Sequence, residues 1–171
     1  FPDTCYRFES GGLPEHITDL TYEQFIEGHR KYYHPSNSYI FLDSPVDIDR
    51  VLGLIDGEYL SRYDKCEPDT EIPFQKTIAP TVKKCYYEIS QDDDDKKHTY
   101  LVMGKVLGSC EEREKITAAS ILAEALTGSN DAPLKRAILD TELCLDASLE
   151  VSDGVLQPFG SLCISNTDFI S

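Results

Sequence analysis

SGGLPEHITDLTYEQFIEGHRKYYHPSNSYIFL, residues 10–42, holds a loop, a capped helix, a proline stop and a strand-like run in one stretch. Thr21 and Gln24 stand three apart, the spacing of a capping box. In that box each side chain satisfies a backbone N–H that the first helical turn leaves free. Tyr22, Phe25, Ile26, His29 and Tyr33 then recur at helical spacing and supply one apolar face. Pro35 ends the helix, because the residue before a proline is pushed out of helical geometry. Residues 38–42, SYIFL, carry no charge and are rich in β-formers, so they read as a short buried strand.

Outward from this block, residues 1–20 are rich in Pro, Gly and Asp and read as irregular chain. Asp47 is placed to cap a second helix over residues 48–63. Ile48, Val51, Leu52, Ile55, Tyr59 and Leu60 form its core face, and close packing is the expected reason for Gly53 and Gly57 inside it. Residues 65–81, with Pro68, Pro73 and Pro80, form a linker. Residues 82–90 and 98–107 read as a β-hairpin whose tip is QDDDDKK, since four adjacent carboxylates cannot sit within a strand pair. Ser109 and Glu112 form a second capping box, opening a helix to Thr127 with Ile116, Ala119, Ala123 and Leu126 on its packed face. Asn130 or Asp131 caps a further helix over 133–139, and strands follow at 147–151 and 159–164. Helices and strands mix without βαβ repetition. The expected fold class is α+β, with antiparallel sheets, packed helices and a division into residues 1–64, 65–81 and 82–171.

Composition narrows the function. The 171 residues are 40% hydrophobic and 27% charged, as in an ordinary globular protein. Lys and Arg total 16 against 31 Asp and Glu, a net charge of −15, which disfavours nucleic acid and anionic membranes as partners. No run approaches the roughly 18 apolar residues of a membrane span. The chain starts at Phe1 and has one Met, Met103, and so reads as a segment of a longer protein. The six cysteines (Cys5, Cys66, Cys85, Cys110, Cys144 and Cys163) form no C-x-x-C and match no disulfide scaffold. Most sit in apolar contexts where a thiol behaves as a small hydrophobe, which points to the cytoplasm or another reducing compartment, an organelle matrix included.

Candidate chemistry is sparse. His29 and His34 are the one close histidine pair, but a helical two-His metal site wants spacing i, i+4, and here the spacing is five with Pro35 adjoining. The expectation is that His29 packs on the helix face and His34 bonds locally at its end. Glu15 precedes His16 without a second His three residues before that Glu. Ser10-Gly11-Gly12 is not a nucleophile elbow. Cys5 has no local group to activate it. The carboxylate pairs Glu111/Glu112 and Asp47/Asp49 suit helix first turns, and Asp92 to Asp95 lack the alternation and glycine turn of a calcium loop. No catalytic, cofactor-binding or metal-ligating residue is assigned.

The blocks LTYEQFxxxHRKYYHPSNSYIFL and FPDTxYxFxSGGxPExIxDLTY nevertheless resemble the presequence-protease subfamily of the pitrilysin/insulinase zinc metallopeptidases. EYLSRY in the second helix, NDAPLKRAIL at 130–139 and residues 159–167 extend the similarity over most of the chain. The resemblance implies a zinc endopeptidase of four homologous α+β domains that close around unstructured peptides. It places residues 1–64 at the end of the first domain and 82–171 at the start of the second. The family's H-x-x-E-H and later Glu have no match here, so the implied zinc belongs to the parent enzyme and none is expected in this chain. The implied partners are unstructured peptides and the remainder of the parent chain, with self-association of the isolated piece through unpaired edges. The alternative reading is a non-catalytic scaffold or substrate-enclosing subunit, and a third is an independent acidic interaction domain.

Overall fold

The computed structural model describes residues 1–92 and 98–167. The chain divides into two compact units, Phe1–Pro73 and Phe74–Ser171.

The first unit is helical. Thr4 caps a 3-10 turn at Cys5–Arg7, and a short helix α1 follows at Pro14–Ile17. Helix α2, Tyr22–Tyr32, begins with the predicted box: Thr21 N–H donates to Gln24 Oε1 at 2.9 Å, and Gln24 N–H donates to Thr21 Oγ1 at 3.2 Å. Pro35 opens a 3-10 turn, Pro35–Asn37, and Asn37 Nδ2 returns to bond the free Tyr32 carbonyl at 2.9 Å. Helix α3, Ile48–Glu58, is capped by Asp47 Oδ1, which accepts from Arg50 N–H at 3.1 Å. It stops short of residue 63. Tyr59 leaves helical geometry, and Leu60–Arg62 form a separate 3-10 turn.

Three expectations are corrected here. Residues 38–42 form no strand, and Tyr39 is fully exposed and Phe41 87% exposed. A strand exists only by sharing backbone hydrogen bonds with a neighbour, and the unit has no other strand to offer them. Gly53 and Gly57 are not tightly packed, since a Cβ at either would meet nothing within 4 Å. The helix faces do not close a core either: Thr4 is the only buried residue of Phe1–Pro73, while Phe25, Tyr33, Ile48 and Leu52 remain exposed.

The second unit contains the sheet. Strands β1 (Thr99–Val106), β2 (Asp146–Ser152) and β3 (Phe159–Thr167) lie in the order β1-β3-β2, with both pairings antiparallel. Leu101 and Ala147 both pair with Ile164, and Met103 and Leu149 both pair with Leu162, so these residues share one face. Helix α4, Arg113–Thr127, packs on β2 and against α5, Pro133–Leu139. The core lies between them: Ile116, Ala123 and Thr127 of α4, with Ala132, Cys144, Ala147 and Pro158. Ala119 and Leu126 line the edge of that face, half-buried.

The predicted hairpin is not formed. β1 takes β3 as its partner, and residues 82–90 make no ladder with it. What joins them is side-chain contact. The Tyr87 hydroxyl donates to the His98 carbonyl, and the Tyr87 and Tyr100 rings meet edge to face at 5.9 Å. Gln157 brackets the Gln75 backbone instead, accepting its N–H at 2.5 Å and donating to its carbonyl at 3.3 Å. Of the expected acidic tip, residues 93–97 lie outside the described residues. Two caps also differ. Glu112 reaches back to Ser109 N–H at 2.9 Å, but Ser109 Oγ accepts from Glu111 N–H, so Glu112 rather than Ser109 is the cap position of α4. Helix α5 starts from Ala132 without a side-chain cap, because Pro133 at its first position has no N–H to satisfy and a φ already set for a helix.

Candidate functional site

Each of the four histidines makes a local contact. His16 lies 3.6 Å from Asp19, one turn along the chain. His29 stacks flat on Tyr33, with ring centroids 4.6 Å apart. His34 caps the Pro35–Asn37 turn, its Nδ1 accepting from Ser36 N–H at 3.1 Å. The His98 carbonyl receives the Tyr87 hydroxyl. Among the described residues no three His, Cys, Asp or Glu side chains converge on a point where a metal could sit. A catalytic zinc needs three protein ligands and an open position. The described donor set does not fit one.

The carboxylates are engaged in folding. Asp47 caps α3 and Asp49 sits in its first turn. Glu112 is held below the usual carboxylate range, first by the Ser109 N–H and then by Lys115, whose Nζ lies 3.0 Å away. Lys135 Nζ lies 2.6 Å from Asp146 Oδ1 and joins α5 to β2. That bond, helped by the Ala147 N–H, holds Asp146 below its ordinary value against the opposing effect of partial burial.

Cysteine placement departs from expectation. Cys144 is buried and Cys163 half-buried, but Cys5, Cys66, Cys85 and Cys110 are exposed. The strand-like run around Cys85 does not become a strand, and Cys66 lies in irregular, polar chain after α3, so both thiols are exposed. Cys66 has acquired a neighbour that its sequence context does not announce. Its Sγ lies 3.2 Å from His34 Nδ1, and its backbone N–H donates to Ser36 Oγ at 3.1 Å. The His34 ring also meets Tyr63 edge to face at 5.3 Å. Contacts across some thirty residues leave no periodic signal. The one local hint is that His34 and Ser36 flank a proline that turns both side chains the same way.

Helices in both units and one three-stranded antiparallel sheet in the second define an α+β fold. The chain belongs to the family described as the Peptidase M16 inactive domain, whose model matches residues 19–166. It is 38% identical over 169 residues to the protein HypA of Clostridium perfringens, covering 98% of this chain and 17% of that protein. It is 33% identical over 165 residues to presequence protease 1, chloroplastic/mitochondrial, of Arabidopsis thaliana, covering 92% of this chain and 15% of the relative. A mitochondrial presequence protease of Danio rerio is 29% identical over 150 residues, with 86% and 15% covered. The chain thus spans about a sixth of the length of these relatives. Among the described residues no helix is long and apolar enough to cross a membrane.

Proposed function

We propose that this chain is a non-catalytic segment of a presequence-protease-like peptidase that degrades unstructured peptides. The observation that carries this reading is the match of residues 19–166 to a domain described as inactive, within relatives named presequence proteases. In this reading residues 1–64 finish one peptidase domain, 65–81 link, and 82–171 begin the next. Zinc and the general base come from elsewhere in the longer polypeptide, and this segment helps to wall the peptide chamber. The setting is a cytoplasmic or organellar reducing compartment.

Two measurements test it. The purified 171-residue chain is expected to bind no stoichiometric zinc by elemental analysis and to leave quenched fluorescent peptides intact, whereas the longer polypeptide cleaves them. Zinc bound one-to-one, or peptide turnover, in the short chain would sink the proposal. A scaffold subunit is the second reading, favoured by the word inactive in the family's description. The gene upstream of Phe1 separates the two: an H-x-x-E-H followed by a further Glu supports the peptidase, and its absence supports the scaffold.

A further inference from the structure

We propose that Cys66 is a covalent modification site, activated by His34, that takes a low-molecular-weight thiol as a mixed disulfide. Three features converge. The thiol is exposed, so a small disulfide can reach it. Its Sγ lies 3.2 Å from His34 Nδ1. Its backbone is clipped to the same turn by the Ser36 hydroxyl, which fixes the approach of sulfur to ring. The Ser36 N–H bound to Nδ1 places the ring proton on Nε2. Nδ1 is therefore the unprotonated nitrogen, and its one lone pair lies between the Ser36 N–H and the thiol. The edge-to-face contact with Tyr63 holds the ring in that orientation. A shallow depression of about 230 Å³, lined by His34, Leu60, Tyr63, Asp64 and Lys65, lies on the histidine side of the pair.

The thiolate is the nucleophile in disulfide exchange, so a base in contact with the thiol raises its rate. In the step, the Cys66 proton passes to His34 Nδ1, and water replaces the ring at the exposed Ser36 N–H. The sulfur then attacks one sulfur of the incoming disulfide. One S–S bond forms as the other breaks, and the departing thiolate takes the proton from the imidazolium. No external oxidant is needed beyond the disulfide. Cys5, Cys85 and Cys110 are exposed too and serve as internal standards within the same molecule.

The test treats the folded chain with limiting glutathione disulfide near neutral pH, quenches with acid, and reads each cysteine peptide by mass spectrometry. Cys66 is expected to react roughly fivefold faster or more than the three exposed standards. His34→Asn keeps a side-chain acceptor for the Ser36 N–H but removes the base, and it should bring Cys66 down to their level. Circular dichroism confirms that this variant is folded. If it is not, Ser36→Ala, which loosens the clip and leaves the base, should lower the Cys66 rate in its place. Equal rates at Cys66 and the standards, or an unchanged Cys66 rate in whichever variant is folded, would overturn the assignment.

Discussion

Thr127 does more than end a helix. Its hydroxyl donates to the Ala123 carbonyl at 3.1 Å and accepts the Leu149 N–H at 2.9 Å, so the last turn of α4 satisfies a donor on the outer edge of β2. Thr127→Val keeps the shape and orphans that donor. It should cost about 1–2 kcal/mol in urea unfolding, and Thr127→Ser should recover most of the loss. Asp146 carries a pH signature. Its carboxyl is held low in the folded state, chiefly by Lys135. The pair's stabilisation is therefore fully present above the unfolded carboxylate value of about 3.9, and is lost as pH falls through the lower folded value. Asp146→Asn should flatten the loss of stability below about pH 4, measured as urea midpoints across acid buffers. Neither residue stands out in the sequence. Thr127 reads as a helix terminus and Asp146 as one acid among many, because their partners lie on other elements.

At the level of elements, the longer helices were legible, and two of the five expected strands did not form. Thr21 with Gln24 and Asp47 mark the starts of α2 and α3 through contacts within three residues, and Pro133 marks that of α5 through its preset φ. A strand is a relation between distant segments. SYIFL has strand chemistry and no neighbour, and residues 82–90 lie beside β1 through Tyr87 without a ladder. The 159–164 run found two partners and became the centre of the sheet. The Cys66–His34 contact could not be read from the sequence, since it rests on how the chain returns after α3. The glycines of α3 supply a sharper test. With open space at both positions, Gly53→Ala and Gly57→Ala should each stabilise the isolated chain by roughly 1 kcal/mol in thermal or urea unfolding. If the rest of a longer peptidase packs on that face, the same substitutions should lose their benefit there.

The whole molecule shows a contrast between its units. Phe74–Ser171 has a small core, whereas Phe1–Pro73 buries no apolar side chain and exposes Tyr22, Phe25, Tyr39, Phe41 and Leu52. Isolated apolar residues on a surface are ordinary, but a unit lacking any core is not self-sufficient. The 171-residue chain should therefore bind a hydrophobic dye and assemble with rising concentration in sedimentation equilibrium, despite its charge of −15. A monodisperse monomer that leaves the dye dark would contradict this. Serine at Tyr39 and Phe41 should weaken the assembly.

The strand order β1-β3-β2 also sets a schedule. A ribosome delivers β1 and β2 first, and neither touches the other in the finished sheet. Among the described residues both pair only with Phe159–Thr167, the last of these three strands to emerge. Until then Leu101, Met103 and Leu149 have no sheet to join, and a nascent chain arrested before residue 159 holds two strands with nothing between them. Formation of this three-stranded sheet thus waits on its third segment, and the interval before that is when unpaired strands most favour misassembly.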